Sequence, residues 1–197
     1  MNKDILLCGV GGQGTVLSSK IIASSAMKEG NTVHSAETIG MAQRGGSVTS
    51  HVRIGSRAYS PLIPEKSADL ILAFEPSEAV RNLKYLKDGG VVIANSVPVR
   101  PVTDSLKDSC YKGEDMIRYL KEKCRLIAVD SEKLCKSFGS SKFFNIIILG
   151  IASGLGVLGI NKDTLLLEIE KKVPEKYVEA NKKAFLMGYE EGEKENI

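Results

Sequence analysis

An apolar strand pattern that passes through glycines into a helix pattern constrains the fold of this chain more than any other feature. Residues 4–9 are largely apolar, residues 9–14 read Gly-Val-Gly-Gly-Gln-Gly, and residues 13–29 repeat apolar side chains at helical spacing. Glycine permits the tight turn that joins a strand directly to a helix. The segment therefore predicts the first strand, turn and helix of a sheet that has helices on its faces.

The rest of the chain continues this alternation of strand and helix patterns. Further strands are predicted at residues 32–36, 47–54, 68–74, 90–94 and 125–129, and further helices at 76–87, 113–123, 141–158, 162–172 and 175–194. Alternation of this kind predicts an α/β fold with three layers, α/β/α, around a mostly parallel or mixed sheet. We expect residues 1–197 to form one domain with a helical C-terminal third, because the length suits a single core.

Composition excludes several classes of protein. The chain has 27 Lys plus Arg against 24 Asp plus Glu and is 43% hydrophobic, which is typical of a folded globular protein and not of a disordered one. A formal net charge of +3 without a dense basic stripe predicts no nucleic-acid partner. Asp4 interrupts the N-terminal region where a secretory signal would carry only positive charge, so a cytoplasmic location is expected.

The cysteines are dispersed along the chain. They are Cys8, Cys110, Cys124 and Cys135, and no two form a Cys-x-x-Cys pair. This spacing fits neither a zinc site nor the ligand run of an iron–sulfur cluster, so no metal site is predicted in this chain. We interpret these residues as small buried hydrophobes in a reducing cytoplasm.

One apolar run has to be tested as a membrane span. Residues 143–160 carry no charge, and Gly150 and Gly154 within them have the GxxxG spacing of close helix pairs. The run is at the lower length limit for a span and contains Asn145, Ser153 and several glycines. A buried helix in the core or at a subunit interface is therefore predicted, with no membrane partner.

The glycine-rich turn is the first candidate functional site. Such a turn exposes backbone N–H groups and aims a helix N-terminus outward, and both favour an anion. The run fits GxGxxG, with Glu37 at about the distance of the acidic residue of dinucleotide sites, but the Lys-Ser/Thr of a P-loop is absent. The alternative is a strand–helix turn without a ligand. Its candidate residues are Gly9, Gly11, Gly12, Gln13 and Gly14.

A second candidate loop is predicted at residues 37–46, directly after the second strand. Loops at one edge of such a sheet lie close together, so this loop should approach the glycine turn. Arg44 can clamp a phosphate or carboxylate, whereas a solvated surface loop is the alternative. Both histidines, His34 and His51, are interpreted as half-buried, hydrogen-bonded strand residues, with a catalytic base as the alternative. The candidate residues are Glu37, Thr38, Met41, Gln43, Arg44, Gly45 and Gly46, with no individual catalytic role assigned.

The two loops in combination resemble the gamma-type subunits and domains of 2-oxoacid:ferredoxin oxidoreductases. The matching stretches are GVGGQG at 9–14, ETIGMAQRGGSVTSHVRIG at 37–55 and SPLIPEKSADLILAFEPSEAVR at 60–81. Later matches are Lys142, Asn145, Leu149, Gly150, Asn181, Ala184, Phe185 and Gly188. The resemblance covers nearly the whole chain, and residues 97–124 are its least similar part.

This resemblance implies oxidative decarboxylation of a 2-oxoacid on thiamine diphosphate, transfer of electrons through iron–sulfur clusters to ferredoxin, and release of the acyl group on coenzyme A. It favours indolepyruvate and related arylpyruvates, with pyruvate, 2-oxoglutarate or 2-oxoisovalerate as alternatives. The chain has neither a Gly-Asp-Gly thiamine diphosphate motif nor a Cys-x-x-Cys-x-x-Cys run. Thiamine diphosphate, Mg²⁺ and the 4Fe-4S clusters are therefore expected on a larger partner subunit, in a heterodimer or heterotetramer.

Two other functions remain open at this point. The GxGxxG pattern with Glu37 permits an independent dinucleotide-binding oxidoreductase, which micromolar binding of NAD(H) or NADP(H) to the isolated chain would support. A binding module for a nucleotide or coenzyme A, without an enzyme attached, would be a stable monomer that saturates with its ligand. An inactive chain that copurifies with a cluster-bearing partner would support the subunit hypothesis.

Overall fold

The computed structural model describes residues 1–39, 45–56, 59–99 and 111–195 of the chain. The strands are β1 (Lys3–Val10), β2 (Val33–Ile39), β3 (Ser47–Ile54), β4 (Ala68–Ala73), β5 (Leu86–Asn95) and β6 (Arg125–Val129). The helices are α1 (Thr15–Lys28), α2 (Pro76–Asn82), α3 (Gly113–Lys123), α4 (Ser131–Cys135), α5 (Phe144–Gly154), α6 (Lys162–Lys172) and α7 (Val178–Lys194).

The strands form one mixed sheet in the order β2-β3-β1-β4-β5-β6. Strands β1, β4, β5 and β6 are parallel, whereas β3 is antiparallel to both of its neighbours, β1 and β2. This confirms the predicted mostly parallel or mixed sheet. Because β2 runs in the same direction as β1, the ends of β1, β2, β4, β5 and β6 and the start of β3 lie at one edge, called here the carboxyl edge.

Helices cover both faces of the sheet. Side chains of β1 alternate between the faces, so that Ile5 and Leu7 join the core beneath α1, α5, α6 and α7, while Leu6 and Cys8 pack toward α2 and α3. The apolar runs of β4 and β5 alternate in the same way and are buried on both faces. The arrangement confirms the predicted three layers, and it places the larger core on the side of the C-terminal helices.

Helix α5 lies in the larger core and packs closely against α7. A Cβ atom added at Gly150 would lie 2.1 Å from the carbonyl oxygen of Phe185, and one added at Gly188 would lie 2.1 Å from that of Ile147. Gly154 and Gly192 have equally short distances to the facing backbone. The GxxxG spacing therefore serves a contact between two helices inside this chain, which confirms the predicted buried helix.

Within the described part of the chain, no single helix has both the length and the apolar composition of a membrane span. The bent pair formed by the helical segments Ser131–Phe138 and Ser141–Gly154, which meet at 111°, passes the same criteria only when its two parts are taken together.

Several predicted boundaries were wrong. The helix predicted at 76–87 ends at Asn82, a 3₁₀ turn follows at Leu83–Tyr85, and β5 begins at Leu86 instead of residue 90. Helix propensity continued past Asn82, but strand pairing with β4 takes over from Leu86. The short helix α4 was not predicted, although Asp130 caps it by accepting a hydrogen bond from the backbone N–H of Lys133 at 2.9 Å.

Candidate functional site

The glycine turn connects β1 to α1 at the carboxyl edge. Gly12 has φ +100° and Gly14 has φ +84°, conformations that only glycine adopts without strain. Gly14 is also the N-cap of α1. Because glycine has no side chain, no capping side chain accepts a hydrogen bond from the first N–H groups of the helix. A Cβ at Gly14 would lie 2.4 Å from Nδ2 of the buried Asn145 on α5. The turn is therefore fixed by its own backbone and by the start of α5.

Gln13 points inward and braces the end of two strands. Its Oε1 accepts a hydrogen bond from the backbone N–H of Val10 at 2.8 Å, and its Nε2 donates to the carbonyl oxygen of Phe74 at 3.0 Å. A Cβ at Gly9 would lie 2.7 Å from Oε1 of Gln13, so Gly9 makes room for this side chain. Gly9 and Gln13 thus lie on the side of the turn that faces the strands, while Gly11 and Gly12 form its outer surface.

Substitution of Gln13 tests its two hydrogen bonds to Val10 and Phe74. Gln13→Ala is expected to lower the free energy of unfolding by about 2 kcal/mol, because it leaves the Val10 N–H without its partner and the Phe74 carbonyl with only the bond from Asn95. Gln13→Glu is expected to cost at least as much, since a carboxylate oxygen would face the Phe74 carbonyl oxygen. Urea unfolding measures both, with the exposed Lys20→Ala on α1 as control. Gln13 variants as stable as Lys20→Ala would show that the hydrogen bonds of Gln13 do not contribute to the stability of the fold.

The loop after β2 meets the glycine turn where it enters β3. The backbone N–H of Gly11 donates to the carbonyl oxygen of Gly46 at 2.8 Å. Gly45, just before it, has φ +75°. The structure therefore brings Gly45 and Gly46 to the turn, as expected for two loops at one edge. Three candidate residues of this loop, Met41, Gln43 and Arg44, lie outside the described residues.

Glu37 and Thr38 are strand residues, which corrects the predicted loop boundary. Strand β2 extends to Ile39 because it pairs with β3 as far as Val48. Both side chains are exposed, and Oε1 of Glu37 accepts a hydrogen bond from Oγ of Ser19 on α1 at 3.3 Å. Glu37 therefore links the edge strand to α1 instead of lying in the loop.

Two buried carboxylates at the carboxyl edge were missed by sequence reasoning. Glu75 and Glu78, which are 1% and 3% exposed, lie at the start of α2 next to the end of β4. Glu75 accepts hydrogen bonds from the backbone N–H groups of Ser77 at 2.6 Å and Glu78 at 3.1 Å, and from the hydroxyl of Tyr111. The available signal was an acidic residue between an apolar strand and Pro76, which is the pattern of a helix N-cap.

These carboxylates affect two neighbouring groups that can titrate. Burial raises the pKa of the Cys8 thiol well above its usual value, and the charges of Glu78 and Glu75 raise it further. Burial and the hydrogen bond to Glu75 raise the pKa of Tyr111. At neutral pH, Cys8 is therefore a protonated thiol and Tyr111 is a phenol that donates to Glu75, so neither is poised as a nucleophile.

A cleft of about 340 Å³ opens beside the glycine turn. Its lining includes Gly12 and Gln13 from the turn, Asn95 from the end of β5, and Lys142 just before α5. Asn95 is held by donating to the Phe74 carbonyl at 3.2 Å and accepting from the Val97 N–H at 3.1 Å. The lining carries one exposed cation, Lys142, and one exposed carboxylate, Glu132, beside the amide of Asn95, so the cleft suits a polar group. Among the described residues, no group of three His, Cys, Asp or Glu side chains could hold a metal ion.

His51 has a structural position. It is buried, and its Nδ1 accepts a hydrogen bond from the backbone N–H of Ile63 at 3.1 Å. Burial lowers the pKa of His51, and the charge of Arg53 lowers it further. His51 is therefore neutral at physiological pH and anchors the segment around Ile63, in agreement with the interpretation as a hydrogen-bonded strand residue. His34 is half-buried on the edge strand β2.

Comparison with known proteins identifies the family of this chain. The family model described as pyruvate ferredoxin/flavodoxin oxidoreductase matches residues 4–191. The chain belongs to this oxidoreductase family. The resemblance inferred from the two loops is thereby confirmed.

Members of the pyruvate ferredoxin/flavodoxin oxidoreductase family align with the chain over nearly its whole length. The indolepyruvate oxidoreductase subunit IorB of Archaeoglobus fulgidus is 38% identical and covers 96% of this chain and 94% of its own length. The common gamma subunit of the pyruvate/ketoisovalerate oxidoreductases of Thermococcus kodakarensis is 30% identical, covering 92% and 95%. The solved gamma subunit of a keto/oxoacid ferredoxin oxidoreductase from Geobacter sulfurreducens PCA has a TM-score of 0.71 at 25% identity and covers 98% of this chain and 99% of its own.

Proposed function

We propose that this chain is the small subunit of a heteromeric oxidoreductase that oxidatively decarboxylates indolepyruvate to an arylacetyl-CoA and passes electrons to ferredoxin. The observation that carries the substrate is the 38% identity, over nearly both full lengths, to a subunit named for indolepyruvate. The second candidate is a gamma subunit for pyruvate or another 2-oxoacid, which the 30% identity to a pyruvate/ketoisovalerate subunit supports.

The redox cofactors belong to the larger partner subunit in this proposal. The chain carries no thiamine diphosphate motif and no cysteine run for a cluster. Thiamine diphosphate with Mg²⁺, when bound to the partner, would stabilise the charge that develops on decarboxylation, and 4Fe-4S clusters would accept the electrons. The complex is located in the cytoplasm, and this chain contributes one gamma-type domain to it.

The carboxyl edge is the part of this chain that faces the active site. Gly11 and Gly12, at the outer surface of the turn, let the backbone approach a bound group closely, and the first N–H groups of α1, which follow Gly14, favour an anionic one. Gly45 and Gly46 bring the neighbouring loop to the same place. Arg44 supplies a guanidinium for a carboxylate or phosphate of the bound molecules. The task of this chain is to orient these molecules and to exclude water.

Anaerobic purification of the tagged chain from its source organism tests the proposed function. A larger subunit that carries iron, sulfide and thiamine diphosphate is expected to copurify. In the presence of coenzyme A, the complex should reduce a viologen dye with indolepyruvate, with kcat/KM about tenfold or more above those for pyruvate, 2-oxoglutarate and 2-oxoisovalerate, because pocket contacts discriminate to this degree. The chain alone should be inactive.

Three other results would contradict the proposal in different ways. A preference for pyruvate would favour the second candidate substrate and leave the subunit assignment intact. An iron-free chain that purifies without a partner would contradict the assignment as a subunit. Micromolar binding of NAD(H) or NADP(H) by that chain would then favour the independent dinucleotide-binding oxidoreductase.

A further inference from the structure

A hydrogen bond to a buried carboxylate fixes the first residue of β3. Oγ of Ser47 donates to Oε2 of Glu78 on α2 at 2.7 Å. Glu78 is 3% exposed, and its Oε1 lies 3.4 Å from Nε of the exposed Arg81. Because water has almost no access to this carboxylate, no solvent molecule readily replaces the hydroxyl of Ser47. The bond therefore ties the start of β3 to the helix on the far side of β1.

Ser47 directly follows the residue that contacts the glycine turn. Gly46 accepts the hydrogen bond from the N–H of Gly11 at 2.8 Å, and Ser47 donates to Glu78 one residue later. The two consecutive residues thus bind two different elements of the carboxyl edge. Ser47 also pairs with Val10 in the β1–β3 ladder, so the backbone pairing and the bond to Glu78 together hold the residue next to Gly46.

At the other end of the β2–β3 connection, β2 is paired with β3 through its backbone, and the side-chain contact is weaker. There, Glu37 is exposed on the edge strand, and its hydrogen bond to Ser19 measures 3.3 Å. A long hydrogen bond to an exposed carboxylate exchanges more easily with water than a short bond to a buried one. The bond between Ser47 and Glu78 is shorter, at 2.7 Å, and ends on a carboxylate that is 3% exposed, so it is the stronger side-chain contact of the two.

We propose that Ser47 and Glu78 are positioning residues of the enzyme, which hold Gly46 against Gly11 and so set the spacing of its two active-site loops. The inference rests on the proposed function, in which these loops face the reacting molecules. Neither residue is placed in contact with substrate. Ser47 acts through Gly46, and Glu78 acts through Ser47.

Hydrogen exchange of the full-length chain tests the position of Gly46 without any assay of activity. In Ser47→Ala, exchange of the Gly11 amide is expected to rise about tenfold or more, while the amides of Leu70 and Leu72 in β4 exchange as before. Ser47→Thr keeps the hydroxyl and should restore slow exchange. Arg81→Ala removes the exposed partner of Glu78 and leaves the bond to Ser47, so it serves as the matched control and should not change exchange at Gly11.

Steady-state kinetics of the assembled complex tests the consequence for the reaction. Ser47→Ala should lower kcat by about tenfold or more with normal iron and thiamine diphosphate content, since small displacements of reacting groups have effects of this size. Ser47→Thr should recover most of kcat. If the role of Ser47 were merely structural, Ser47→Ala would lower thermal stability and raise amide hydrogen exchange throughout the sheet, without a selective change at the Gly11 amide.

The outcomes separate this inference from the proposed function. Unchanged exchange at Gly11 in Ser47→Ala overturns the positioning role. Fast exchange at Gly11 with unchanged kcat also overturns it, because the spacing of the loops would then not matter to the reaction. A wild-type complex that oxidises no 2-oxoacid contradicts the proposed function instead, while the exchange of Gly11 still decides whether Ser47 and Glu78 hold the loop.

Discussion

Gly188→Ala is expected to lower the free energy of unfolding by roughly 3 kcal/mol, at the upper end of what overpacking usually costs. The new methyl group would lie 2.1 Å from the carbonyl oxygen of Ile147. Backbone atoms on both helices are involved, so no side-chain rotation relieves the collision and α5 and α7 have to separate. The gain in helix propensity of about 1 kcal/mol is smaller than this cost.

Thermal unfolding measures this effect. A loss of 3 kcal/mol corresponds to a melting temperature lowered by roughly 6–12 °C in a chain of this size. Gly150→Ala, which meets the Phe185 carbonyl at 2.1 Å, should behave in the same way. The exposed Lys183→Ala on α7 is the control and should stay within about 0.5 kcal/mol of the wild type. Equal melting temperatures for Gly188→Ala and Lys183→Ala would mean that the two helices are not in backbone contact.

Gly14→Ala is expected to have the second largest effect, on stability and on turnover together. A side chain at φ +84° costs about 1–2 kcal/mol. The added Cβ would also lie 2.4 Å from Nδ2 and 3.1 Å from Cβ of Asn145, so rotation of the amide alone does not clear it. A total loss of about 2–3 kcal/mol is expected. Because the turn would shift against the active site in the proposed function, kcat of the complex should fall about tenfold or more.

Gly30→Ala provides a matched control at the other end of α1. Gly30 also has positive φ, +77°, but a Cβ there meets nothing within 4 Å. Gly30→Ala should therefore cost only the backbone strain of about 1–2 kcal/mol and leave kcat unchanged. Turnover that falls equally in Gly14→Ala and Gly30→Ala would indicate a general loss of stability and would argue against the glycine turn as part of the active site.

The secondary structure was largely predictable because it depends on local patterns. The apolar runs at 68–74 and 90–94 became buried strands, and the uncharged run at 143–160 contains the buried helix α5, which ends at Gly154, earlier than the predicted residue 158. The predictions failed where tertiary contacts overrode local propensity. Strand β5 begins at Leu86, because Leu86 already pairs with Ala68 of β4, although the register then shifts and the regular ladder starts at Val91.

The candidate site was predictable only in part. The glycine turn and its approach to the loop after β2 followed from the sequence, since positive φ demands glycine and loops at one edge lie together. The inward direction of Gln13 could not be predicted, because its partner Phe74 is distant in the sequence. The burial of Glu75 and Glu78 could not be predicted either, because their partners Tyr111 and Ser47 are also distant in the sequence.

The sequence by itself determined the alternation of strands and helices, the glycine turn and the resemblance to an oxidoreductase family. Only the tertiary structure decided the insertion of antiparallel β3 beside β1, the contact of Gly150 and Gly188 with facing backbones, and the bond from Ser47 to Glu78. Periodicity and backbone propensity act over a few neighbouring residues, so a pattern reveals them. Contacts between residues that are distant in the sequence form only when the whole chain is folded into one packing arrangement.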